Sequence, residues 1–368
     1  MSDQSHRGLT ESVIDPSQDG HSHPAQINSR IIKLFTAHSP LSTKSRLTLT
    51  SALTAAVLLY GLSVYWSIEP DLFDVKENAQ TMSGSSTDQM VTGAITTATL
   101  IKVVETLLDK HGGYLSNDVM PPSILMDNMP NWEFGVLVQV RDLSRVMRND
   151  MSRSQSQSGE DPSLANAEPQ FNFHNDSWMF PASETEYRKG IGFLKEYFGK
   201  MKDRGHSNTQ FYARADNLRE WLSVVSKRLG GYSQRLRSST GQERINTDLE
   251  GDPSATQSTP TKAESIVKTP WLEIDDVFYE SRGGCWALLQ FLKAVEVDFQ
   301  AVLQDKNALV SLRQIIRELE PTQSTVWSPM ILNGRGFALI ANHSLVMASY
   351  ISRANAAVID LKELLAKG

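Results

Sequence analysis

Leu47 to Ile68 reads LTLTSALTAAVLLYGLSVYWSI, a run of 22 residues without a single charge. At about 1.5 Å rise per residue such a helix is roughly 33 Å long, which matches a hydrocarbon core of about 30 Å. Tyr60, Tyr65 and Trp66 gather toward its C-terminal end, where amphipathic rings prefer the membrane–water interface. A buried core helix of this length normally carries a polar face, and only hydroxyls interrupt this one. Serine and threonine bond back to their own helix, so they permit insertion. The run predicts a transmembrane helix over residues 47–68.

Its flanks predict an orientation. Arg30, Lys33, Lys44 and Arg46 precede the span with no acid between Gln26 and Arg46; Glu69, Asp71, Asp74 and Glu77 follow it. Positive-inside bias then puts the N-terminus in the cytoplasm and everything after residue 69 on the other side of the membrane. The apolar run starts too far from Met1 and is too long for a cleaved signal's apolar core, and no A-x-A site follows. It reads as an uncleaved signal anchor.

Outward from the anchor the chain divides by composition. Residues 1–28 are polar, hold His6, His21 and His23, and predict a disordered cytoplasmic tail; 29–46 form a basic juxtamembrane segment. Residues 69–93 read as a linker, because Gln80 to Thr92 is rich in Ser, Thr and Gly. A helical region is expected over 94–237, opening with a helix from about Ala94 to Lys110 that His111-Gly112-Gly113 stops. Next come a proline-punctuated loop and a short helix over about 134–149, although WEFGVLVQV at 132–140 is the one run that could form a strand. The Gln/Ser/Asn-rich stretch 152–176 predicts a long loop.

The clearest periodicity follows. Tyr187, Ile191, Leu194, Phe198 and Met201 step by four and three, as do Phe211, Ala215, Leu218, Leu222, Val225 and Leu229. That narrow seam suits helices packed at shallow angles. Residues 238–270 lose all apolar period and predict a flexible linker or insertion. The C-terminal region, 271–368, predicts three helices: from about Pro270 to Gln304, Asn307 to Leu319, and Gly336 to Ala366. The expected class is all-α: a single N-terminal transmembrane helix followed by a periplasmic helical bundle, with 271–368 packing against 94–237.

Several strings, TTATLIKVVETLLDKHGGYLSNDVMPP, DNMPNWEFGVLVQVRDLSRVMRND, SRSQSQS, AEPQFNF and FYARADNLREWL, are similar to those of a proteobacterial family of uncharacterised membrane proteins, the bacterial domain-of-unknown-function family 2333. The resemblance extends over nearly all of the chain after the anchor. It implies a membrane-anchored envelope protein and carries over no catalytic residue.

Local chemistry is sparse. Gly283-Gly284-Cys285-Trp286 partly resembles the nucleophile signature of papain-like proteases, but Arg282 replaces the upstream cysteine and only 83 residues remain for a partner histidine. A buried cysteine is the plainer account. His111, His174 and His206 lack a second ligand at helical spacing, so no metal site and no cofactor is expected. Glu184 with Glu186, and Asp275 with Asp276, suit helix starts better than paired acid–base catalysis. Asn333-Gly334-Arg335-Gly336 is a weak anion-site candidate, with Arg335 as its cation, against the alternative of a simple glycine turn. No P-loop, dinucleotide fingerprint or G-x-S-x-G elbow is present. The net charge of −6 disfavours nucleic acid as a partner.

The expected partners are the lipid bilayer through 47–68 and, beyond it, a second copy or another envelope protein. The expected role is a non-enzymatic helical scaffold or interaction module. The alternative is a cell-wall- or lipid-acting enzyme whose site is assembled from distant residues.

Overall fold

A computed structural model describes residues 42–153, 159–203, 209–245, 264–328, 330–335 and 339–367. The expectations for the tail 1–28, for Arg30 and Lys33, and for His206 therefore lie outside the described residues. So does most of 238–270.

The first helix, α1 (Thr43–Trp66), contains no buried residue and is long and apolar enough to cross a membrane. Its hydroxyls bond back within the helix, Thr50 Oγ1 to the Arg46 carbonyl at 2.9 Å and Thr54 Oγ1 to that of Thr50 at 2.9 Å. The chain forms two compact units that meet after Val57, and the second runs from Leu58 to Gly368.

Within that unit the described residues are overwhelmingly helical. The elements are α2 (Val75–Ser83), α3 (Ala94–Asp109), α4 (Asn128–Val146), α5 (Pro162–Phe171), α6 (Ser183–Lys202), α7 (Ala215–Arg237), α8 (Ile274–Asp298), α9 (Gln300–Asp305), α10 (Leu309–Leu319) and α11 (His343–Ala366). One buried core draws on all of them, from Val75 to Leu365. The antiparallel pair β1 (Gln242–Ile245) and β2 (Glu264–Val267) joins Gln242 to Val267 and Ile245 to Glu264, where a linker was expected.

The centre is the crossing of α4 with α8. Gly135 lies so close to α8 that a Cβ there would stand 2.0 Å from the Glu280 carbonyl oxygen; a Cβ on Gly283 would stand 2.0 Å from that of Trp132. Small residues at facing positions let the two backbones touch, and Trp132 and Trp286 close the contact with ring centroids 5.2 Å apart. Consequently α8 is buried nearly all round, Arg282 and Gln290 included, rather than along one stripe. The 132–140 run is thus helical. α3 packs on α8 and α6, α5 on α6, and α11 on α7 and α10.

Four expectations change at their edges. The 69–93 linker contains α2, which Asp74 caps by accepting from the Lys76 and Glu77 N–H groups, and whose Val75 and Ala79 join the core. The 152–176 loop contains α5, started by the Asp161 cap and Pro162 at its first position. The helix placed over about 270–304 is α8 and α9, separated at Phe299. The last helix begins at His343 instead of Gly336, after an isolated bridge between Asn333 and Asn342.

Two carboxylates tie helix ends that the core brings together. Asp298, ending α8, accepts from the Gly93 and Thr96 N–H groups at 2.9 and 2.7 Å and so caps α3 from 202 residues away. Burial nonetheless pushes its carboxyl up to about 6. Glu133 of α4 is wholly buried, pairs with buried Lys110, and accepts from the Leu115 and Ser116 N–H groups at 2.9 and 2.8 Å. Burial raises its pKa, and Lys110 opposes the rise.

Candidate functional site

A charged side chain inside a helix as buried as α8 requires partners, because an isolated buried charge is prohibitively costly. Arg282 has them. Its Nε donates to both Glu69 carboxylate oxygens at 2.8 and 2.7 Å, and one terminal nitrogen donates to the Thr322 and Ser324 carbonyls, both at 2.8 Å. The other donates to the Gln323 carbonyl at 3.2 Å. These carbonyls are free because Pro321 closes α10 and the chain leaves in a short strap, pinned by the Thr322 hydroxyl on the Leu319 carbonyl at 2.6 Å. Glu69 is the first residue after the apolar run. Burial raises its pKa while Arg282 draws it back. One planar guanidinium therefore fastens the residues just after α1 to the central helix and the strap, a geometry Arg supplies and Lys does not.

Two clefts flank Arg282. One, of about 660 Å³, lies between residues 67–72 and Tyr279, Trp286 and Gln323. The other, of about 530 Å³, is mainly apolar and is lined by Phe278, Val326, Trp327, Val346, Met347 and Tyr350. His343 stands in its wall, but Nδ1 accepts the Leu332 N–H at 3.2 Å and burial lowers its pKa, so the ring is neutral and engaged. The first cleft presents a compensated ion pair, and the second presents hydrocarbon. Such walls can receive an apolar group.

The sequence candidates are dispersed. Arg335 is exposed and lines neither cleft. Beside it, the Gly334 N–H donates to the Ala341 carbonyl at 3.0 Å and the Gly334 carbonyl accepts from Asn342 Nδ2 at 2.8 Å, so that glycine serves a turn; Gly336 lies outside the described residues. Cys285 is buried inside α8, and burial pushes its thiol up to about 12, leaving no thiolate near neutrality. His111 stacks on Tyr65 at 4.5 Å, and His174 lies edge-on to Phe173 at 5.9 Å. Glu184 accepts from Asn117 at 2.7 Å, and Glu186 pairs with Lys189. Asp276 accepts from Asn131 at 2.7 Å; burial and then Asp127 and Asp275 push it up to about 6. Among the described residues no group of three or more His, Cys, Asp or Glu is placed to hold a metal ion.

Sequence reasoning missed the Glu69–Arg282 pair, whose members are 213 residues apart. The available signal was a lone arginine in RGGCWALLQF, an otherwise apolar run.

Residues 41–368 match the family described as "Uncharacterized protein conserved in bacteria (DUF2333)", and the chain belongs to it. No curated protein and no solved structure matches the chain.

Proposed function

We propose that this protein is a membrane-anchored envelope protein of the bacterial inner membrane, whose periplasmic helical domain is an interaction module rather than an enzyme. The observation that carries this reading is the α1 segment: an uncharged run of 22 residues without a buried side chain, basic before and acidic after. The Arg282 clasp supports it, because the charge nearest that segment is engaged in fastening the domain to it. The partners are the bilayer through 47–68 and a second copy or another envelope protein; the net charge of −6 argues against nucleic acid. Arg335 remains a weak anion contact on the exposed surface.

A reporter enzyme active only outside the cytoplasm, fused after Gly368, is expected to be active. Crosslinking in intact cells is expected to return a homo-oligomer or one specific protein. An inactive reporter with an active cytoplasmic one in its place overturns the topology. A chain that crosslinks to nothing overturns the interaction role.

A second reading, a lipid- or wall-acting enzyme, has one observation in its favour, the apolar cleft beside the strap. The engagement of His343 and Arg282 counts against it.

A further inference from the structure

Among the described residues outside α1, two loops each expose several large apolar side chains. Val119, Met120, Ile124 and Leu125 stand in one; Trp178, Met179 and Phe180 stand in the other. Leu125 is 81% and Phe180 92% exposed, so neither contributes to the core. Hydrogen bonds make the loops one surface: Asn117 Nδ2 donates to the Ser177 carbonyl at 2.7 Å, and the Tyr114 hydroxyl to that of Asn175 at 3.0 Å. Phe180 also holds φ 57°, a left-handed conformation that bulky residues rarely adopt, while Ser177 Oγ ties down the Pro181 carbonyl at 2.8 Å. Backbone strain that merely lifts an aromatic ring into solvent does nothing for the fold.

The surface adjoins the last turn of α1. His111 stacks on Tyr65, and Gly112 lies so close beneath Trp66 that a Cβ there would come within 2.7 Å of the indole. Tyr114 and Asn117, which bind the two loops, follow within five residues. If Tyr65 and Trp66 mark the interface, the groups packed on them stand at headgroup depth. Charge narrows the occupant further. Residues 113–128 and 174–187 contain no Lys or Arg but include Asp118, Asp127, Asp176, Glu184 and Glu186. Attachment there is by apolar insertion, not by attraction to anionic lipid.

From this juxtaposition we infer that the 119–125 and 178–180 loops seat the domain directly on the phospholipid bilayer, with Leu125, Trp178 and Phe180 in the headgroup layer. The inference rests on the reading of α1 as a membrane span.

The test uses the full chain reconstituted in phosphatidylcholine vesicles. Phe180→Cys carries an environment-sensitive fluorophore, and buried Cys285 does not compete for it. Val310→Cys is the control: it is exposed on α10, where Arg313 pairs with Glu296, roughly 20 Å along α8 from Arg282. Because Phe180 makes no core contact, its substitution should leave the thermal unfolding curve unchanged. Nitroxide-labelled lipids are expected to remove most of the emission at position 180 and none at 310, equally in low and molar salt.

Retention through an alkaline wash without quenching at 180 overturns the seating while the anchor stands. Release by the wash overturns the anchor, and the seating with it. A blue shift at 180 that follows protein concentration and is not quenched by lipid overturns the bilayer as occupant in favour of a second copy. Equal quenching at both positions also overturns it, since the domain would then have no preferred face.

Discussion

The α4–α8 crossing and the loops beside α1 treat apolar residues in opposite ways. At the crossing, glycines bring two backbones into contact and both indoles are hidden; in the loops, a tryptophan, a phenylalanine and two methionines face outward. Hydrophobic burial accounts for the packing of the first, since close packing is where dispersion and water exclusion act together. It explains nothing about the second. The proposed seating on the bilayer, beside Tyr65 and Trp66, would give those side chains a role that the fold does not.

The sharpest way to break the comparison is at the crossing. Gly283→Val places three carbons where even a single Cβ would stand 2.0 Å from the Trp132 carbonyl oxygen. It should cost about 5 kcal/mol or more, by forcing α4 and α8 apart. Gly230→Ala in α7 is the contrast: its Cβ would meet only Asn355 Nδ2, at 3.7 Å, so loss of a helical glycine is expected to stabilise by up to about 1 kcal/mol. Urea unfolding of both variants reads the difference. If Gly283→Val unfolds at the wild-type midpoint, the contact is not as tight as described.

Next in size are the buried ion pairs. Lys110→Met leaves Glu133 wholly enclosed without its counter-charge, so the carboxyl must stay buried as an unpaired charge or take up a proton, and the change should cost about 3–5 kcal/mol. The double change Lys110→Met with Glu133→Leu should recover much of that loss, because the desolvated charge is gone. Arg282→Lys removes the fork that reaches Glu69 and three strap carbonyls. Because Glu69 retains some access to water, the expected cost is smaller, about 1–3 kcal/mol. A double-mutant cycle in which the Arg282 variant proves the more damaging would reverse the ranking.

A third effect separates the two ends by pH. The Asp298 carboxyl is pushed up to about 6 from an ordinary value of 3.8. The folded state therefore binds this proton before the unfolded state does, and stability should rise as pH falls from 7 toward 4. Asp298→Asn should flatten part of that rise. Asp276 behaves in the same sense, but its shift comes partly from Asp127 and Asp275, so added salt should shrink its share and leave that of Asp298 intact. Melting temperature against pH, with and without molar salt, measures both.

The sequence spoke clearly where periodicity was sustained. The four-and-three seams placed α6 and α7 within a few residues, and the uncharged run 47–68 placed α1. It was mute where the helix was short or its context misleading. α2 offers Val75, Ala79 and half-buried Met82 to the core, and the Ser/Thr/Gly-rich neighbourhood hid it despite the Asp74 cap. α5 begins with a recognisable Asp161-Pro162 start obscured by Gln, Ser and Asn. In α8 the charges at 280 and 282 are core positions, because Glu280 is held by Arg235 at 2.6 Å and Arg282 by Glu69. Long-range pairing turns polar positions into core positions, and no local window records it. The clasp was hidden for that reason, and so was the joining of the 119–125 and 178–180 loops by Asn117.

The smallest expected effect on stability carries the most information about function. Phe180→Ser and Leu125→Ser remove side chains that touch almost nothing in the fold, so urea midpoints should move by no more than about 0.5 kcal/mol. Serine at a left-handed position is no worse than phenylalanine there, and Phe180→Gly should if anything relieve the φ of 57°. In vesicles, the double change Phe180→Ser with Leu125→Ser should nonetheless raise the rate at which added protease cleaves the 119–125 loop, because a loop lifted from the headgroups is open to attack. A protease acting equally fast on both proteins would mean that the loops do not touch lipid. A large loss of stability would mean that they belong to the core after all, and the contrast between the two regions would disappear.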